Sequence, residues 1–79
     1  MTKPPKLHQF NGKEPTKAGQ ASYRHWVREL KHKLRTYTEE AVMAAIPMSL
    51  SGAPLQVFHS LGEDADVHDV LEILELHYG

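Results

Sequence analysis

The sequence predicts an all-α domain, a small bundle of four main helices preceded by an extended N-terminal arm. Apolar residues recur at spacings of three and four through most of residues 21–79, which is the period of one helix face. Capping residues, glycine and proline separate these stretches, as expected at helix ends. The first twenty residues are instead rich in Lys, Pro and Gly. We therefore predict an extended, partly flexible arm over 1–20 and a helical domain over 21–79.

The arm begins with Pro4 and Pro5, which favour an extended backbone. A short alternating stretch from Leu7 to Phe10 follows and ends at an Asn-Gly turn signal. A lone strand in a helical chain has no partner strand, so it either lies across the helices or pairs with another copy.

The first helix is predicted from about Ala21 to Tyr37, with Ser22 or Gln20 at its start. Its buried stripe is expected to comprise Tyr23, Trp26, Val27, Leu30, Leu34 and Tyr37. A second face carries Arg24, Arg28, Lys31 and Arg35.

The second helix is predicted to begin at Thr38, a good N-cap followed by Glu39 and Glu40. Proline lacks the N–H that a helix interior needs, so Pro47 is expected to end or bend this helix near residues 45–46.

The third helix is predicted to be capped by Ser49 or Ser51, with Gly52, Ala53 and Pro54 in its first turn and Gly62 at its end. Its buried stripe is expected to comprise Leu55, Phe58 and Leu61.

The last helix is predicted to follow Asp66 as N-cap, with Asp69 in its first turn and Gly79 as C-cap. Its stripe is expected to comprise Val67, Val70, Leu71, Leu74 and Tyr78. Because the chain stops directly on a helix end, we expect it to be a domain excised from a longer protein.

Composition excludes several function classes. The chain has 79 residues and no cysteine, which leaves little room for a deep active-site cleft and excludes thiol catalysis and thiolate metal sites. No apolar run approaches the roughly 20 residues that cross a bilayer, and the first residues lack the apolar segment of a secretory signal. We expect a cytoplasmic protein that does not bind membranes.

The histidines and serines do not form a recognisable catalytic or metal-binding motif. No two of the six histidines stand three or four residues apart, the spacing that directs two imidazoles of one helix toward one ion. The serines lack a nucleophile-elbow context. We therefore expect no enzymatic activity, no metal and no cofactor.

Charge is divided along the chain. Nine basic and two acidic residues give residues 1–35 a net charge of +7, and eight acids with no Lys or Arg give residues 36–79 a net charge of −8. Either the two halves neutralise each other within one copy, or each half attracts the opposite half of another copy. Nucleic-acid binding is disfavoured, because the acidic half repels phosphate and the aromatic residues share the apolar helix face.

Several landmarks resemble a known family when they are taken in order. They are Phe10-x-Gly12, Trp26 after Tyr23, "MSLSGAP" at 48–54, then Leu55 and Phe58, and the final "LELHYG". This order is similar to the N-terminal capsid lobe of Ty3/gypsy retrotransposon-type Gag proteins, above all to the domesticated paraneoplastic Ma antigen and Arc family.

The resemblance carries over residue by residue. It implies that Phe10 and Gly12 belong to the segment before the first helix and that Trp26 is the core tryptophan of that helix. It places Leu50, Gly52 and Ala53 at the tight turn where two helices meet, and Phe58 at a position of a large aromatic residue.

The resemblance implies a structural module that contacts neighbouring copies in the pentamers and hexamers of a capsid-like particle. The parent protein would be a homo-oligomer that can be released in particles, whereas the isolated lobe would be monomeric or weakly associating. RNA would be packaged only through regions that this chain lacks.

Three residue sets are expected to carry this assembly. The basic set comprises Arg24, Arg28, Lys31 and Arg35, and the acidic set comprises Glu63, Asp64, Asp66, Asp69, Glu72 and Glu75. The arm adds Lys6, Leu7, Phe10 and Gly12.

Two alternatives stay open. In the first, the lobe is an adaptor that holds extended peptides in a hydrophobic groove, as in Arc-like members; residues of the core or groove are Tyr23, Trp26, Leu30, Leu50, Gly52, Ala53, Phe58, Leu74 and Tyr78. In the second, the chain is a SCAN-like domain that forms a tight isologous dimer.

Overall fold

A computed structural model describes residues 5–13, 15–16 and 18–79. It contains four helices: α1 (Tyr23–Lys33), α2 (Glu39–Ser49), α3 (Ala53–His59) and α4 (Val67–Tyr78). The predicted all-α fold with four main helices is confirmed. The start of the arm, residues 1–4, lies outside the described residues, as do Glu14 and Lys17.

Side-chain caps start three of the helices where the sequence predicts them. Ser22 accepts a hydrogen bond from the N–H of His25, and Thr38 accepts one from the N–H of Ala41. Asp66 and its partner three residues later form a reciprocal capping box at the start of α4. Each cap satisfies backbone donors that have no partner inside the helix.

α1 is shorter than predicted, because it ends at Lys33 rather than at Tyr37. Residues 34–37 form tighter turns, in which the N–H of Arg35 bonds the carbonyl of His32. These turns lead into the extended backbone of Thr38 that the next N-cap requires. Leu34 and Tyr37 nevertheless pack against the core.

α2 continues through Pro47 to Ser49, so of the two outcomes expected at Pro47, an end or a bend, the end near residues 45–46 is wrong. Pro47 lies in the last turn, where its missing N–H removes only one helical bond. The carbonyls that end the helix find partners outside it. The Gln9 side chain donates a hydrogen bond to the carbonyl of Met48 over 2.9 Å. The N–H of Phe10 donates one to the carbonyl of Ser49, also over 2.9 Å. The arm therefore caps α2.

α3 begins at Ala53 with Gly52 as its N-cap, so the predicted caps Ser49 and Ser51 are both wrong. The Ser49 side chain is buried within α2, where it bonds the carbonyl of Ile46. Gly52 has φ 64° and ψ −138°, a region that essentially only glycine adopts. The helix also ends at His59, earlier than Gly62.

The core combines all four helices with the arm. Its fully buried side chains include Trp26, Leu30, Val42, Ile46, Val70 and Leu74. From the arm, Leu7 and Phe10 are 6% and 2% exposed. The arm lies across the helices within one copy, since Phe10 makes a parallel bridge to Leu50 and Gln9 makes one to Gln20.

Candidate assembly surfaces and a histidine cluster

The predicted basic residues form one exposed surface, which we call the basic surface. Three of them lie on α1 and the fourth in the turn that follows it, at spacings of four, three and four. All four are exposed: Arg24, Arg28, Lys31 and Arg35. Because α1 turns its apolar stripe inward, these cations remain in solvent.

The predicted acidic residues form a second exposed surface, the acidic surface. It comprises Glu63, Asp64, Asp66, Asp69, Glu72 and Glu75, on α4 and the loop before it. Three of these acids also have partners within the chain. Asp66 and Asp69 form the capping box of α4, and Glu75 accepts a 2.9 Å hydrogen bond from the Tyr23 hydroxyl.

An apolar cleft of about 460 Å³ opens within the acidic surface. The residues that line it include the apolar Leu61, Ile73 and Leu76 and the acidic Asp64 and Glu72. Leu76 is 81% exposed although it is a large apolar residue. This surface therefore combines negative charge with an exposed apolar side chain.

The two charged surfaces are not paired with each other by ion pairs. Among the residues that the structure describes, no Lys or Arg lies within 4.0 Å of a carboxylate, and the ion pair present is His8 with Glu29. Arg24 and Glu75 do line one cleft, so the surfaces approach each other there. Arg28, Lys31 and Arg35 remain available to an outside partner.

The groove residues expected from the sequence lie in three different environments. Trp26, Leu30, Leu50 and Leu74 are sealed in the core. Tyr23, Phe58 and Tyr78 are half-buried, whereas Gly52 and Ala53 are exposed and do not line a groove.

Phe10 of the arm fills the space among the aromatic residues. Its ring centroid lies 5.2 Å from that of Tyr78, 5.7 Å from that of Tyr23 and 6.2 Å from that of Trp26. Gly12 has φ +85° and lies close to Pro54. A Cβ at position 12 would lie 3.1 Å from the Pro54 ring. Lys6 is exposed. The space among these aromatic residues is thus filled by the chain's own arm.

The two tyrosines also border a cleft of about 390 Å³ beside Val27. Burial, then the hydrogen bond to Glu75 and its negative charge, raises the pKa of Tyr23 above its ordinary value. The hydroxyl therefore stays protonated and donates to the carboxylate. This bond joins the start of α1 to the end of α4.

A cluster that the sequence analysis missed joins the arm to α1. It contains His8, His25 and Glu29, and one potential ligand atom from each residue lies within 4.8 Å of the other two. The signal in the sequence was the four-residue spacing of His25 and Glu29, which places them on one helix face. The spacing joins a histidine to a glutamate, so it does not appear among pairs of histidines, and His8 is remote in sequence.

Glu29 is the centre of this cluster. The N–H of His8 donates to its Oε1 over 2.6 Å, and Nδ1 of His8 lies 2.7 Å from its Oε2. Partial burial alone would raise the pKa of Glu29. The hydrogen bonds from His8 and the charges of His8 and His25 outweigh burial and hold it below its ordinary value.

None of the described helices has the length and apolar character needed to cross a membrane. A scan against protein-family models, a search of curated proteins and a search of solved structures each found no match to this chain.

Proposed function

We propose that this domain is a structural module that self-assembles through contact between the basic surface of one copy and the acidic surface of the next. This is the role expected of a Gag-like capsid N-terminal lobe, and it involves no catalysis. One observation carries the proposal: exposed surfaces of opposite charge are present on one chain, and no Lys or Arg pairs with a carboxylate among its described residues.

The geometry of such a contact is heterologous. Two different surfaces of identical copies meet head to tail, which closes into a ring when the rotation between copies is suitable. The charges guide encounter and set the register of the two copies. The aliphatic stems of Arg28 and Lys31 can cover the apolar cleft around Leu76, while their charged ends reach the carboxylates of Asp64 and Glu72.

The isolated domain is expected to associate weakly. Exposed ion pairs contribute about 0–1 kcal/mol each and are screened by salt. Stable particles therefore need many copies of a longer parent protein, which would supply additional contacts and any RNA binding. We place this assembly in the cytoplasm, with particles that can be released.

The test uses two variants that each remove the charges at the proposed centre of one surface. Arg28→Gln/Lys31→Gln neutralises two of the four basic residues, and Asp64→Asn/Glu72→Gln neutralises two of the six acidic residues without touching the α4 capping box. Sedimentation at low ionic strength should show concentration-dependent association of the unmodified chain and monomers for each variant. An equimolar mixture of the two variants should form a 1:1 dimer, because each retains intact the surface that is altered in the other.

Glu39→Gln/Glu40→Gln is the matched control, since it removes two charges at the start of α2, outside both surfaces. It should associate like the unmodified chain. A mixture that stays monomeric would refute the head-to-tail contact, and association that is unchanged between low and high salt would refute its charged basis. A tight dimer at low concentration in all variants would instead favour the SCAN-like alternative.

A second candidate function is peptide binding, favoured by the way in which the arm is held. Residues 9–10 are extended, the N–H of Phe10 donates to Ser49, and the N–H of Ser51 donates to the Phe10 carbonyl. An extended peptide that carries an aromatic residue could make the same bonds from another molecule.

This second proposal is tested by complementation. A synthetic peptide of residues 5–13 should bind the Phe10→Ala chain, with a change in Trp26 fluorescence and recovered stability. The same peptide with alanine at position 10 is the matched control and should not bind. If the two peptides behave alike, the aromatic groove does not select its occupant.

A further inference from the structure

The cluster of His8, His25 and Glu29 has the donor set of a metal site. Two imidazoles and one carboxylate are ligands that zinc and similar divalent ions accept, with a fourth position left for water. His25 and Glu29 come from adjacent turns of α1, and His8 comes from the arm. The candidate ligand atoms lie within 4.8 Å of one another.

The spacing is close to what a metal ion requires. Ligand atoms about 2.1 Å from a tetrahedral zinc ion lie about 3.4 Å apart. The separation of 2.7 Å between His8 Nδ1 and Glu29 Oε2 is shorter than this value, and the other separations lie within 4.8 Å. His8 and His25 are exposed side chains, so rotation about their side-chain torsions can adjust the distances between the ligand atoms.

The separation of the two imidazoles agrees with a shared ion. Their centroids lie 5.4 Å apart and their planes cross at 81°. Two imidazoles on one tetrahedral zinc ion have centroids about 5 Å apart. The rings are therefore already near the separation that a shared ion imposes.

The backbone of the arm holds His8 in place before any ion binds. The preceding residue, Leu7, is buried. The N–H of the following residue, Gln9, donates a hydrogen bond to the carbonyl of Gly19 over 2.8 Å. Oε1 of Glu29 accepts the N–H of His8, and Oε2 lies beside the His8 ring. A prearranged site of this kind loses less conformational entropy on binding.

We infer that His8, His25 and Glu29 bind a divalent transition-metal ion of the zinc class and that this ion ties the arm to α1. The hydrogen bond between the His8 ring and Glu29 would be replaced by two bonds to one ion. Ion binding requires neutral imidazoles, so the affinity falls in acid. The ion would stabilise the folded chain, because the unfolded chain does not hold the three ligands together.

The experiment is a zinc titration of the whole chain at neutral pH by calorimetry, with His25→Gln as the main variant. The His25 side chain makes no hydrogen bond to any described residue, so this variant should fold normally while losing a ligand. His32→Gln is the matched control, since it removes another exposed histidine of α1. We expect a loss of tenfold or more in affinity for His25→Gln and a change within twofold for His32→Gln.

Two further measurements place the ion. In NMR spectra of the side-chain nitrogens, zinc should shift the rings of His8 and His25 and leave His32 unchanged. Zinc should also raise the melting temperature of the unmodified chain and of His32→Gln, but not of His25→Gln. Equal zinc affinity for the unmodified chain and His25→Gln would overturn the inference, as would shifts of equal size at all the histidines.

Discussion

Replacing Phe10 by alanine tests whether the N-terminal arm belongs to the core. Phe10 is 2% exposed, and its ring packs against Tyr23, Trp26 and Tyr78. Truncation of a buried phenylalanine costs about 3–5 kcal/mol, which includes the cavity that it leaves. A chain of this length has a free energy of unfolding of about 4–12 kcal/mol. Phe10→Ala should therefore lose a large part of its stability.

Urea unfolding followed by tryptophan fluorescence measures this loss. The chain has one tryptophan, Trp26, which is fully buried beside Phe10. Phe58→Ala is the matched control, because it deletes the same group from the half-buried position on α3 and should cost clearly less. A loss of less than about 1 kcal/mol in the free energy of unfolding of Phe10→Ala would refute the placement of Phe10 in the core, because truncation of a buried phenylalanine costs more than this.

Three further predictions concern a buried hydrogen bond, a backbone conformation and a carboxylate. Ser49→Ala should lower the free energy of unfolding by about 1–3 kcal/mol in urea, since Trp26 Nε1–H donates to the buried Ser49 hydroxyl over 2.9 Å; Ser60→Ala, an exposed serine that likewise bonds its own helix, should change it little, and equal effects would contradict the reasoning. Gly52→Ala should cost about 1–3 kcal/mol because of its φ of 64°, and an unchanged urea midpoint would show that this turn relaxes. The fold lowers the pKa of Glu29, so the ionised carboxylate stabilises the folded chain at pH values above the ordinary pKa of glutamate, and this contribution is lost as the pH falls through the lowered pKa. The stability difference between the unmodified chain and Glu29→Gln should therefore shrink in acid; a constant difference would contradict this.

The helix starts could be predicted because the interactions that form them are local. Ser22, Thr38 and Asp66 each bond an N–H three residues further along the chain. Such a bond depends on a short segment alone, so residue type and position suffice to predict it. The exposed faces of α1 and α4 follow from the same local periodicity.

The end of α2 could not be predicted from its own residues. Pro47 is normally a sign that a helix stops. The helix reaches Ser49 because the arm, almost forty residues earlier, supplies donors to its last carbonyls. The sequence likewise predicts Ser49 to be a cap. In the structure its hydroxyl is buried and accepts a hydrogen bond from the Trp26 indole N–H.

The sequence by itself determined the four helices, the side-chain caps at the starts of α1, α2 and α4, the apolar stripes and the division of charge along the chain, because each depends on neighbours within a turn or two. Tertiary structure decided which side chains meet across long separations. It brought the arm into the aromatic core, left the basic and acidic surfaces without Lys or Arg ion pairs among the described residues, and placed His8 beside His25 and Glu29. These outcomes depend on how the chain packs in three dimensions, which no local spacing encodes.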